Sequence, residues 1–122
     1  MKALLITQKG GEPAAKKEVK DLLGLVGKVV PEAVEFEFKD YKQLFTLSYL
    51  SQSALRIVLL ENPEDWLEKG DTFCVRAKDK ETEIEYGNKI SDEFKVNLKE
   101  PDLPLYVHNK TFGIDFTGNL SK

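Results

Sequence analysis

The sequence predicts an α+β chain of two small subdomains, residues 1–62 and 63–122. Three observations carry that expectation. Stretches in which apolar and polar residues alternate with a period of two (33–38 and 111–116) are interleaved with stretches of helical apolar spacing (12–23 and 41–52). With 122 residues, 41% of them hydrophobic and 10% aromatic, the chain can bury a core and is unlike a disordered polar sequence. A cluster of charged and turn-forming residues at 61–70, including Pro63 and Gly70, interrupts the pattern midway.

The elements follow in order. Residues 2–8 are an apolar run ending in polar residues and Gly10-Gly11, as a central strand would be. Residues 12–23 carry Pro13 in the position of a first helical turn. Ala14, Ala15, Val19, Leu22 and Leu23 are then spaced along one face. Gly24, Gly27 and Pro31 punctuate the chain without a predicted element. In 33–38 the inward residues are Val34, Phe36 and Phe38. Asp40 is the expected N-cap of a helix over 41–52. Residues 55–60 are β-rich and nearly continuous in apolar character, which predicts an inner strand.

In the second half, residues 62–67 predict a short helical turn opening at Pro63 and closed by Gly70. A strand is expected over 72–77, and a helix within the charged stretch 78–94. Residues 95–98 predict a short extended segment. Pro104 confines the next strand to 105–108, because proline cannot donate to a ladder. Asn109-Lys110 fits a two-residue hairpin turn into the final strand, 111–116, which Gly118 ends. The order is β-α-β-α-β and then β-α-β-β. The first half has the content of a truncated ferredoxin-like unit.

Single residues exclude several chemistries. A Ser-His-Asp or Cys-His arrangement would have to use His108, the one histidine, which sits beside the Asn109-Lys110 turn and reads as an exposed turn-edge residue. Cys74 reads as a small, partly buried strand residue, with no histidine nearby in sequence to activate it. One cysteine allows no internal disulfide and no multi-cysteine zinc site. The acidic run Glu81, Glu83, Glu85 lacks the glycine and ligand pattern of a calcium loop. Gly10-Gly11 stands between a strand and a helix, where phosphates often sit. However, neither GxGxxG nor GxxxxGK[ST] is present, so a plain turn is the simpler reading. No apolar run reaches the ~20 residues of a membrane span, and the N-terminal apolar stretch is too short for a secretory signal. A cytoplasmic binding module without metal or cofactor follows from these readings.

Charge is unevenly placed. The net charge of −3 combines residues 1–60, with 9 basic and 7 acidic side chains, and residues 61–122, with 9 basic and 14 acidic. The second half is therefore net −5.

That acidic half nevertheless resembles the THUMP domain, an RNA-binding module of tRNA- and rRNA-modifying enzymes. Phe73-Cys74-Val75-Arg76-Ala77-Lys78 looks like the family's F-x-V-R-x-(K/R) strand, and Gly87 stands where many members have a helix glycine. Residues 96–107, with Pro101-Asp102, are similar to V-D-L-x-x-P-D-x-x-I-x-V. Ile114-Asp115-Phe116-Thr117-Gly118-Asn119-Leu120 looks like L-D-L-S-G-x-x-L. The Pro-Asp followed by Asp-x-(S/T)-Gly is the most specific part. Asn97 departs from the family's usual Asp, and the stretch between Lys78 and Gly87 is short and acidic. Residues 3–8 and 14–23, and the segment 49–59, resemble the ferredoxin-like part that precedes THUMP in guanine-N2 RNA methyltransferases. The first Arg of their S-R-x-A-x-R-V-x-L pattern is Gln52 or Ser53 here.

The resemblance implies a ferredoxin-like subdomain followed by a small α/β THUMP subdomain that binds tRNA or another structured RNA. It implies a downstream catalytic domain that binds S-adenosylmethionine, whereas this chain stops at Lys122, as an N-terminal fragment or a stand-alone relative would. The same module also serves thiolation and acetylation systems, and a protein-interaction module that has lost RNA binding is the further alternative. The implied RNA contacts are Arg76 and Lys78 first, then Lys80, Lys89, Lys99 and Lys110. An Arg76–Asp115 ion pair is the structural alternative for Arg76, and a solvated surface position for each lysine. Asp102 and Asp115 are expected to cap or turn the chain rather than meet phosphate.

Overall fold

The computed structural model describes residues 1–51, 56–68, 71–90 and 94–116. They form two compact units: Met1–Leu59 together with Phe116, and Leu60–Asp115.

In the first unit the order is β1 (Lys2–Ile6), α1 (Glu12–Leu23), β2 (Lys28–Val30), β3 (Ala33–Glu37), α2 (Tyr41–Leu50) and β4 (Arg56–Leu59). The strands lie in the order β2-β3-β1-β4, all neighbours antiparallel. This is a complete β-α-β-β-α-β unit, with β1 central as expected. The strand β2 has no counterpart in the sequence reading, which left 24–32 as punctuation. Lys28-Val29-Val30 is only three residues long and exposed or half-buried, so it has no hydrophobic alternation to announce it. Its place comes from its partner: Val29 pairs with Val34 and Val30 with Ala33 across a two-residue turn. Gly27 makes the approach possible, because a Cβ there would run into Cγ1 of Val34.

The core of this unit is the expected one. Val34, Phe36 and Phe38 are 0–2% exposed, and Ala15 and Val19 of α1 and Leu44 and Leu47 of α2 are fully buried above the strands. Each of these valine, leucine and phenylalanine side chains is worth about 1.5–3 kcal/mol of transfer free energy. Asp40 caps α2 by accepting from the Lys42 N–H at 2.9 Å, while Gln43 Oε1 accepts from the Asp40 N–H at 3.3 Å. Gly24 ends α1 in the left-handed region (φ 69°), its N–H donating to the Lys20 carbonyl. Phe116 returns to this unit, donating its N–H to the Ile57 carbonyl and setting its ring edge-on to Phe45.

The second unit opens with a 3₁₀ turn at Pro63–Asp65, capped by Asn62. It continues with β5 (Thr72–Arg76), α3 (Lys80–Gly87), β6 (Lys95–Val96), β7 (Leu103–His108) and β8 (Thr111–Asp115). The strand order is β8-β7-β5-β6, with β5 parallel to both β6 and β7, and β7 antiparallel to β8. The strand β7 starts two residues earlier than expected and contains Pro104. Pairing to β8 begins only at Leu105, so the prolyl residue stands opposite β5 alone, aligned with Cys74. Asn109 (φ 47°) and Lys110 (φ 65°) both take positive φ, the signature of a type I′ turn.

The expected exposed histidine is corrected. His108 is 4% exposed, because β7 lies between β5 and β8 and is covered on both faces through its last residue. Cys74 is buried as expected (2% exposed). Burial pushes its thiol up, against a weaker opposing pull from Arg76. The expectations on Gln52, Ser53, Leu55, Gly70 and Gly118 fall outside the described residues. Among the described residues no helix is long and apolar enough to cross a membrane.

Candidate nucleic-acid interface

The six cations implied by the resemblance all lie on the surface of the second unit. Arg76 ends β5, Lys78 follows in the connecting loop and Lys80 opens α3. Lys89 sits just beyond the C-terminus of α3, Lys110 in the β7–β8 turn and Lys99 in the loop after β6. Folding sorts them into two clefts that adjoin α3. A polar cleft of about 540 Å³ lies beyond the C-terminal ends of the parallel strands β5 and β7, and Lys78, Lys89 and Lys110 line it together with Tyr86, His108 and Asn109. A more apolar groove of about 640 Å³ lies along α3 and β6, lined by Arg76, Lys78 and Lys80 among aliphatic side chains. Lys99 lines neither cleft.

The polar cleft gathers residues separated by up to 33 positions in sequence, from Ala77 to Lys110. Its wall is Tyr86, whose hydroxyl donates to the Lys110 carbonyl at 3.2 Å and whose ring stands 5.3 Å from that of Phe112. Lys89 Nζ lies 4.3 Å from the centre of the Tyr86 ring and 3.9 Å from Glu85. The exposed pair with Glu85 is weak in water and screened by salt, so the ammonium can turn towards a phosphate. Two carboxylates, Asp79 and Glu85, share the lining with the three lysines. The cleft is thus locally positive within an acidic half. Sequence reasoning gave Tyr86, His108 and Asn109 no place in a binding site. Only the hairpin turn hinted at Asn109, and nothing in the linear pattern places Tyr86 against Lys110.

Arg76 is engaged with the backbone. Its Nη2 donates to the Leu98 carbonyl at 2.9 Å. Leu98 is held for this contact by Asn97, whose Oδ1 accepts from the N–H groups of Lys99 and Glu100 at 3.1 Å each. That turn needs only a side-chain oxygen, which Asn supplies as well as Asp. Asp102 makes a tertiary link rather than a local cap or turn: Oδ2 accepts from the Thr72 N–H, 30 residues away in sequence, at 2.8 Å. Asp115 is buried, at 3% exposure, rather than displayed at a turn.

The Gly10-Gly11 turn is closed to an external anion. The Glu12 carboxylate accepts from the Gly10 N–H at 2.7 Å and from the Glu32 N–H at 3.1 Å. Hydrogen bonds from its own backbone N–H and from those of Glu32 and Gly10 hold this carboxyl below the usual range. A side chain of the protein thus takes up the Gly10 N–H that a phosphate at this turn would otherwise use. Among the described residues no group of three or more His, Cys, Asp or Glu side chains is placed to hold a metal ion.

Neither a protein-family model nor a curated protein sequence matches this chain. Solved structures do. A 4-thiouridine synthetase, solved as an RNA complex with bound ATP, is similar at 17% identity and a TM-score of 0.55, over 93% of this chain and 40% of that one. A predicted N6-adenine-specific DNA methylase from Listeria monocytogenes is similar at 17% identity and a TM-score of 0.59, over 93% of this chain and 40% of that one. The PH1313 protein of Pyrococcus horikoshii is similar at 11% identity and a TM-score of 0.57, over 93% of this chain and 53% of that one. The chain therefore spans about half or less of the length of these proteins. At such identities the likeness is one of fold, and that fold is the α+β architecture expected from the sequence.

Proposed function

We propose that this chain is an RNA-binding module, with tRNA as its substrate class, that serves an RNA-modifying active site in a separate domain. One observation carries the reading: Lys78, Lys89 and Lys110, dispersed in an acidic half, converge on one polar cleft beside Tyr86 and Asn109. Lysines that neutralise phosphates supply most of the affinity of such a surface, and shape rather than the inaccessible A-form major groove supplies its selectivity. The structural likeness to a 4-thiouridine synthetase solved with RNA supports the same reading. Lys78, Lys89 and Lys110 form the centre of the interface. Arg76 and Lys80 flank it from the neighbouring groove, and Lys99 contributes at longer range.

The chemistry belongs elsewhere. A methyltransferase partner domain would bring S-adenosylmethionine, and this chain would hold the RNA at a fixed distance from it. The test is tRNA binding by the whole chain at low salt. The charge reversal Lys78→Glu/Lys89→Glu/Lys110→Glu is expected to weaken binding by at least about tenfold, and Lys16→Glu on α1 to leave it unchanged. Absence of binding by the unaltered chain, or a triple variant that binds equally well, overturns the proposal.

A further inference from the structure

The groove along α3 is unlike the polar cleft. Ile84, Val96 and Leu98 line it and are 56–61% exposed. Among the described residues of the second unit, the fourth exposed large apolar side chain is Trp66, which is less exposed at 43%, does not line this groove and donates its indole N–H to Glu61. Exposed apolar side chains gathered in one concave patch mark an interaction surface, whereas scattered ones do not.

The helix α3 adds a second argument. It has eight residues and none of them is buried. Helices this short are marginal alone and depend on packing an apolar face. Its aliphatic residue, Ile84, lines the groove and is 56% exposed. An occupant of the groove would cover it.

We propose that this groove docks a segment of a protein partner that presents aliphatic side chains beside a carboxylate. Three groove-lining cations, Arg76, Lys78 and Lys80, face two acids, Asp79 and Glu83. This locally positive rim stands in a half of the chain that is net −5, so it selects an acidic segment over a basic one. Arg76 is the anchor: its link to the Leu98 carbonyl fixes the guanidinium at the edge of the exposed Leu98 side chain. An aliphatic contact and a charge-assisted hydrogen bond are thereby offered side by side. RNA is the poorer occupant. Single strands dock by stacking bases on exposed aromatic rings, and the one aromatic side chain of this groove, Phe73, is 3% exposed.

The inference shares Arg76, Lys78 and Lys80 with the RNA reading but rests on the apolar lining of Ile84, Val96 and Leu98, so it survives that reading's failure. A random peptide display library is selected on the full chain, and the selected peptides are synthesised and titrated. Peptides rich in Leu, Ile or Val next to Asp or Glu are expected. They should lose at least about tenfold in affinity on Ile84→Ser/Leu98→Ser and on Arg76→Glu. Both variants alter exposed positions, and thermal melts check that they fold. Groove-independent peptides only, basic groove-dependent peptides, or single-stranded RNA binding that is itself lost on Ile84→Ser/Leu98→Ser would each overturn the proposal.

Discussion

Thr72 and Asp102 hold each other through three hydrogen bonds. Asp102 Oδ2 accepts from the Thr72 N–H at 2.8 Å and from its Oγ1 at 3.1 Å, and Thr72 Oγ1 accepts from the Asp102 N–H at 3.0 Å. The two residues begin β5 and precede β7, parallel neighbours whose pairing starts at Phe73 and Leu103. The contact thus sets the register of the strands whose far ends form the polar cleft. It also gives a physical role to the aspartate of the Pro101-Asp102 motif.

Thr72→Val and Asp102→Ala are each expected to cost about 1–2 kcal/mol in urea denaturation, because each leaves hydrogen-bonding groups without partners. The double variant is expected to cost about 1 kcal/mol less than the two singles together, since both remove the same network. Simple additivity would show that the two residues act independently.

Gly27→Ala is expected to destabilise the chain by about 1–3 kcal/mol, because the new methyl meets the buried Val34 side chain and the β2–β3 pairing must shift. Gly10→Ala serves as the comparison. Its Cβ meets nothing within 4 Å, so its cost is confined to the positive φ of 90°, about 1–2 kcal/mol. Hydrogen exchange in β2 separates the two, with faster exchange there expected for Gly27→Ala alone.

The Glu12 carboxyl is held below the usual range by backbone N–H donors. A depressed folded value means that the contribution of Glu12 is complete above the unfolded value, about pH 4.3. The contribution is lost as the pH falls through the lower folded value. Glu12→Gln is expected to lower stability at pH 7 and to flatten the acid side of the stability–pH curve below the unfolded value of the Glu12 carboxyl. An unchanged acid limb would refute the link between this carboxylate and the α1 turn.

Lys110 occupies the second position of the type I′ turn at φ 65°. Lys110→Gly removes the left-handed penalty and is expected to raise stability by about 0.5–1 kcal/mol. If Lys110 meets a phosphate as proposed, the same change removes that contact, and the slope of log affinity against log salt should shrink by about 0.7 for single-stranded RNA. Stability and RNA affinity moving in opposite directions would exclude unfolding as the cause of weaker binding.

Within the first unit, local signals determined almost everything. Alternation in 33–38 placed Val34, Phe36 and Phe38 inside, Asp40 marked the start of α2, and helical spacing put Ala15 and Val19 on the buried face of α1. These features are set by neighbours within a few residues, so they are visible in a linear chain. The strand β2 is not, because a three-residue exposed strand exists only by pairing with β3 across Gly27. The fate of His108 was hidden for a similar reason: its burial depends on β7 lying between β5 and β8.

The sequence by itself determined the α+β class, the Asn109-Lys110 hairpin and an excess of acid in the second half, since these depend on local periodicity, turn chemistry and simple charge. It also supplied the six cations, without saying which act together. The tertiary structure decided their grouping. Parallel pairing of β5 with β7 brings Lys78 and Lys110 to one polar cleft with Lys89, and the Arg76 link to Leu98 turns the guanidinium to the apolar groove. Charge sums ignore position, whereas electrostatic and apolar contacts act over a few ångströms, and only chain topology fixes what lies within that distance.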